Sequence, residues 1–212
     1  MKGTGGDERV IVLNGLVSQT IHVPARSSLA VWGVFTAGKA ERATLEVILD
    51  GEDSEVSVVC AILGRADDHF PFDVTIEHRA TGTRSRVALR SVLEGKSFGD
   101  TVGRIHISQS ALRADAFFSH HALLFGQGSR AHALPILEIE QSDVKAGHAV
   151  TVGRIEDEIL HYCATRGVPQ AQAAQLIAEG FLATDAALLP AGLAREEFCE
   201  QVRRGWAKSQ VL

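Results

Sequence analysis

No stretch of this chain approaches the ~20 consecutive apolar residues of a membrane-spanning helix. Its start, MKGTGGDERVIV, has no apolar segment of the kind that directs secretion. A cytosolic location is therefore expected. Positive charge is also scarce: 21 Lys and Arg stand against 26 Asp and Glu, giving a net charge of −5 and a pI near 6.0. The deficit is spread along the chain, with 15 basic against 18 acidic residues in 1–150 and 6 against 8 in 151–212. Neither part offers the basic face that nucleic acids or anionic membranes attract. The three cysteines, Cys60, Cys163 and Cys199, form no C-x-x-C pair, which excludes a local zinc knuckle and argues against a secreted disulfide framework. Common catalytic signatures are missing as well: no G-x-x-x-x-G-K-[ST] loop, no G-x-S-x-G elbow and no H-E-x-x-H pair. The glycine-rich GTGGDE lacks the preceding strand that a phosphate loop needs and reads as a flexible lead-in. Aromatic residues make up only 6%, so packing must come from aliphatic side chains.

What is present is 45% hydrophobic residues in 212, enough to bury a substantial core in one large domain or one domain with a small appendage. From Val10 to about Val144, short apolar or alternating runs end repeatedly at Gly, Asp, Asn or Ser. In TLEVIL, Leu45, Val47 and Leu49 fall on one face, the period of a strand. VSVVCAIL is almost continuously apolar, as expected of a strand covered on both sides. Up to ten such runs predict an all-β body: a sandwich, a barrel or a coil of stacked strands. The irregular spacing does not choose among these, although LLFGQGSRAHALPILEI suits stacked rungs.

After Gly153 the period becomes helical. Ile155, Ile159 and Tyr162 recur at i, i+4 and i+7 behind an acidic first turn, with Cys163 on the inner side. Gly167 and Pro169 close this helix and open the next, which offers Ala173, Leu176, Ile177 and Phe181. A third begins near Pro190 with Phe198, Val202 and Trp206 spaced four apart. The expected division is a β core over 1–150 and a helical subdomain over 151–212. One helical face should pack on the β body, leaving another to bind a partner.

The chemistry-bearing candidate is His148, set among Ala146, Gly147 and Ala149, so that a metal or protein can reach it. Imidazole suits borderline metals such as iron; the bland alternative is a ring capping a carbonyl at a tight corner. His120 and His121 are adjacent and must point to opposite faces of a strand. His106 and His132 could approach them in stacked rungs, but solvated surface is the default for all four. Cys60 and Cys163 read as core, whereas Cys199 is the most accessible of the three.

LEIEQSDVKAGHAVTVGRIEDEILHYCATRGVPQAQAAQLIAEGFL resembles the C-terminal segment of the SufB/SufD family of iron–sulfur cluster assembly proteins. The family pattern L-E-I-x-x-x-D-V-K-C-S-H-G-A-T-V-G is matched at Leu137, Glu138, Ile139, Asp143, Val144, Lys145, His148, Thr151, Val152 and Gly153. Tyr162, Arg166, Gly167, Gly180 and Phe181 continue the match, and Ala149 after the histidine favours the SufD branch. Weaker matches run upstream through His78, Ser85, Gly95, Asp115, Ala116, Leu123 and Leu124. The resemblance covers roughly 70–212. It implies a right-handed parallel β-helix with a C-terminal helical subdomain and a non-catalytic scaffold role. A SufC-like ABC-type ATPase would bind the C-terminal helices, and a SufB-like partner or a second copy would pair with the β-helix. His148 would be a ligand for iron or a transient Fe–S cluster, with no nucleotide bound directly. Three departures stand out. Ala146 replaces the family cysteine, Phe117 and Phe118 replace polar residues, and the chain is about half the usual length. The rival classes are a β-helix or metal-dependent hydrolase or lyase, which needs paired carboxylates or basic residues in a groove, and a dimerisation module without cluster chemistry.

Overall fold

The computed structural model describes residues 8–38 and 41–207, so the GTGGDE lead-in lies outside them up to Asp7. Its strands are β1 (Glu8–Val12), β2 (Gln19–Val23), β3 (Ser28–Phe35), β4 (Ala43–Leu49), β5 (Glu55–Gly64) and β6 (His69–His78). They continue through β7 (Arg84–Leu93), β8 (Phe98–Ile107), β9 (Asp115–Leu124), β10 (Arg130–Ile139) and β11 (Lys145–Arg154). Odd-numbered strands form one six-stranded sheet and even-numbered strands a five-stranded one, each in chain order. Every pairing is parallel, with Arg84 beside Asp115 and Asp115 beside Lys145, so one coil takes about 30 residues. The chain therefore winds from sheet to sheet as a parallel β-helix of about five coils, and neither a sandwich nor a barrel.

The corners explain why no repeat is legible. At one corner Arg26, Asp53 and Arg113 adopt φ of 55°, 54° and 58°, in the place that Gly82 fills with 73° in its own coil. Their amides stack, each donating to a carbonyl of the next coil: Arg26 to Glu52, Asp53 to Thr81, Gly82 to Leu112 and Arg113 to Asp143. Ser27, Ser54 and Thr83 follow, each hydroxyl donating to the carbonyl three residues back. Each of the four corners thus holds a left-handed residue, followed by a hydroxyl in three and by Ala114 in the fourth, and only one of them spends a glycine on it.

Inward residues of the two sheets fill the lumen: Val31, Leu45, Val58, Phe72, Ile76 and Leu89 are all at most 1% exposed. β5 is covered on both faces, as its continuous apolar run predicts. Val56, Val58, Cys60 and Ile62 point into the lumen, while Val59, Ala61 and Leu63 lie under the helices. Those helices are α1 (Asp157–Thr165), α2 (Gln170–Ala183) and α3 (Leu193–Ala207), with a short 3₁₀ turn at Thr184–Leu188. Phe198, Val202 and Trp206 of α3 are buried as expected, and Phe198 meets Trp32 edge-on at 5.9 Å. Two arginines fasten this layer. Arg65 Nη2 donates to the Gly205 carbonyl at 2.7 Å, and Arg90 Nε donates to Asp185 Oδ2 at 2.6 Å beneath the Phe181 ring.

The first helix differs from expectation. α1 packs against α2, and only its Leu160 is buried, while Ile159 and Tyr162 are 45% and 58% exposed. The strand that precedes it, β11, turns small residues, Thr151 and Gly153, outward and offers no apolar bed. Cys163 is accordingly half-buried, and Cys199 is half-buried against the helical cluster. On α2 the buried residues are Ala173, Ala178 and Leu182, whereas Leu176 is 58% exposed. Among the described residues no helix is long and apolar enough to cross a membrane.

Candidate functional site

β11 closes the odd sheet and β10 the even one, so among the described residues nothing pairs with their outer edges. Register fixes which side chains face the lumen. Ala146, His148 and Val150 stand beside Ala116, Phe118 and His120; the first two of these belong to the core. Across the lumen, Leu137 and Ile139 stand beside the buried Ile105 and Ile107. The last coil thus presents an inner face without a coil above it, where Ile139 and Val152 are 45% and 46% exposed.

His148 sits on that face. It is exposed, and among the described residues no hydrogen bond or ion pair engages its ring, so the carbonyl-capping alternative has no support in the geometry. Its neighbours explain the sequence around it. Gly147 turns outward, where a Cβ would come within 3.2 Å of the Phe117 ring. Ala146 shares the inner face of His148, so the thiolate of the family pattern would have stood beside the imidazole. Below His148, Phe118 is 2% exposed and its ring lies on Gly103 of β8, where a Cβ would collide with it.

The other histidines separate as strand parity requires. His121 lies on the outer face, bonded to Thr151 Oγ1 at 2.7 Å, and burial and Arg90 lower its pKa despite Asp185. His120 is not solvated surface: it is 1% exposed inside the lumen. Its Nε2 is 3.0 Å from Ser91 Oγ and its Nδ1 has no partner. Burial, reinforced by His121, pushes its pKa down to about 4. His78, 0% exposed, bridges Thr83 and Ser85 at 2.8 Å each. Burial and Arg86 bring it to about 4 against the pull of Asp115. His106 and His132 do not approach this pair. They lie on the outer face of the even sheet, bonded to Glu140 at 3.4 Å and Asp100 at 2.8 Å.

Cys60 is buried in the core, and burial pushes its thiol up to about 12, so it stays protonated. The carboxylates stacked outside the even sheet are engaged too. Arg42 bonds Asp73 at 2.5 Å and also Asp100. Burial alone would raise the Asp100 carboxyl, but bonds from His132 and Arg42 outweigh it and hold it below the usual range. Such neutralised pairs do not supply the free acid and base of a glycosidase groove. Among the described residues no three His, Cys, Asp or Glu side chains gather as a metal cage. A metal held at His148 would therefore need donors beyond this chain to complete its coordination. Reading the sequence missed the Ser91–His120 contact; the alternation Phe118, His120, Ala122 on one strand face was the signal for it.

Comparison with known proteins meets the same residues. The family model for the SUF system FeS cluster assembly SufBD core domain matches residues 14–181. The iron–sulfur cluster assembly protein SufD of Escherichia coli is 29% identical over 164 residues, 77% of this chain and 36% of that protein. SufD of Bacillus subtilis is 28% identical over 155 residues, 73% of this chain and 35% of its own length. An iron–sulfur cluster assembly SufBD family protein of Mycobacterium tuberculosis is 36% identical over 126 residues, covering 55% and 32%. The aligned part thus spans about a third of each of these relatives.

Proposed function

Because the chain belongs to the SufBD family of iron–sulfur cluster assembly proteins, we propose that it is a SufD-like, non-catalytic subunit of a cytoplasmic assembly scaffold. It works with a SufC-like ABC-type ATPase and carries iron or an Fe–S cluster transiently. One observation supports this most directly: His148 stands exposed on the inner face of the terminal coil, on one of two ten-residue edge strands whose outer edges and whose imidazole have no partner among the described residues. Unpaired edges and half-exposed apolar side chains favour being covered. Covering them with a second copy or a SufB-like partner places another chain's donors beside the imidazole. With Ala146 in place of cysteine, the thiolate comes from that other chain. The ATPase docks on the exposed apolar side of α1 and α2, formed by Ile159, Tyr162 and Leu176. A shallow cleft of about 400 Å³ lined by His161, Tyr162 and Thr165 adjoins it.

The test is His148→Ala in a complex reconstituted with the ATPase and a SufB-like protein. Cluster formation should be lost while melting temperature and ATPase co-purification stay unchanged. His148→Cys, which supplies a softer donor at the same place, should restore part of it. Unimpaired assembly by the alanine variant would show that His148 is not a ligand.

A further inference from the structure

We propose that His120 is a second nitrogen donor behind His148, and that the two imidazoles together bind a first-row divalent metal ion at the mouth of the lumen. The inference rests on reading the open end as the place where metal is handled, and it adds a residue to that site. Both side chains face inward, on adjacent strands: Phe118 pairs with His148 and Val150 with His120, so the two histidines stand on a diagonal. One strand spacing and two residues along the strand put their Cα atoms about 8 Å apart.

The orientation of His120 supplies the second argument. Ser91 pairs with Ala122, so it lies on the next strand inward and two residues further along, on the diagonal opposite His148. His120 Nε2 is turned to Ser91 Oγ at 3.0 Å. The two nitrogens of an imidazole point to opposite sides of the ring, so Nδ1 looks back toward the diagonal of His148. That Nδ1 is buried and unpartnered, which otherwise costs free energy. An imidazole with one N–H tied to a neighbouring oxygen and the other nitrogen bare is the usual arrangement of a metal-ligating histidine. His148 supplies an exposed ring at the rim, and among the described residues no strand pairs with the outer edge of β11, so an ion arriving at the open end meets His148 first and His120 behind it. Two neutral nitrogen donors leave positions for water or for another chain's ligands, as a site that takes up and releases iron requires.

Cobalt(II) alone, titrated into the full chain and followed by its visible absorption, is the probe. One equivalent should bind to the wild type. His148→Ala and His120→Asn should each weaken binding by about 10- to 100-fold or more, and Ser91→Ala by about tenfold through loss of the tether. No binding by the wild type, or wild-type affinity in a folded H120N/H148A double variant, would overturn the proposal. A second measurement needs no variant: with zinc added to the wild type, the imidazole nitrogen resonances of His120 and His148 should shift together. A shift confined to His148 would equally overturn it. Co-purification with the ATPase is read independently, so a failure here is distinguishable from a failure of the scaffold reading.

Discussion

Gly103→Ala adds one methyl group to the wall of the lumen, in line with the ring that underlies His148. The Phe118 ring occupies the place that a Cβ on Gly103 would take. Phe118 is 2% exposed, wedged between β8 and β9, and has no free side to move into. Overpacking of this kind costs about 1–3 kcal/mol. In a chain of 212 residues that lowers the melting temperature by roughly 2–12 °C. Phe118→Ala alone should cost about 3–5 kcal/mol by leaving a cavity. The double variant is the informative one, because the new methyl enters the space vacated by the ring. Its cost should fall short of the sum of the single variants by about 0.5–3 kcal/mol. Urea unfolding followed by circular dichroism measures all three. Strict additivity, or a Gly103→Ala protein as stable as the wild type, would refute the packing described for this coil.

Exposed Ile159 and Tyr162 on α1 are expected to carry ATPase binding, so Ile159→Asp with Tyr162→Ser should abolish co-purification without changing the melting temperature. This is a cleaner test than truncating the tail, since removing α3 would strip Phe198, Val202 and Trp206 from Trp32, Val59 and Leu63. Buried His78 and His120 fall to about 4 from 6.5, so between those values the unfolded chain binds protons that the folded chain does not. Stability should therefore drop as pH falls through that window, by roughly 1.4 kcal/mol per pH unit per histidine at its steepest. His120→Asn should flatten the fall in urea midpoint between pH 7 and 5. In the absence of a SufB-like partner the protein should be a dimer by light scattering at micromolar concentration, and Ile139→Glu with Val152→Glu should make it a monomer of unchanged fold; a monomeric wild type would contradict the pairing.

Strand periodicity was legible where lumen-facing residues are apolar and outward ones polar, as in β4, and as a continuous apolar run in β5, where the helices cover the outer face. Leu45, Val47 and Leu49 announce β4 without any neighbour. The stacking of those strands was not legible from spacing, because Arg26, Asp53, Ala66 and Arg113 hold left-handed corners that a reader expects of glycine. Resemblance through the His148 segment supplied the β-helix that periodicity left open. The phase of α1 was misread for a related reason. Ile159 and Tyr162 have helical spacing, yet spacing shows only that a face is apolar, and this one turns to solvent. His148 stood out by its surroundings of Ala and Gly, whereas His120 was masked by its neighbour His121. Adjacent histidines read as a polar surface pair until the alternation of β9 sends one inside and the other out.

The two ends of the β-helix differ in how their edges are protected. At the first end β1 and β2 have five residues each, and Leu13 and Leu16 in the connection between them are 7% and 5% exposed, folded against the core. Short strands and an apolar cap are ordinary means of blunting a sheet edge. At the other end β10 and β11 keep ten residues each, and the inner face bears Ile139, Val150, Val152 and a free imidazole. Edge protection there is Pro135 with Arg130 and Glu138 on β10, and Lys145 and Arg154 at the two extremities of β11. A chain that caps one end and leaves the other long, apolar and open concentrates its favourable burial in one direction. His148 lies inside that surface. A covering partner would exclude water from the imidazole and bring its own donors to the side where Ala146 supplies none. On the scaffold proposed above, the loss of the cysteine would be a division of labour between two chains, this one contributing nitrogen and an apolar wall and the partner contributing the thiolate.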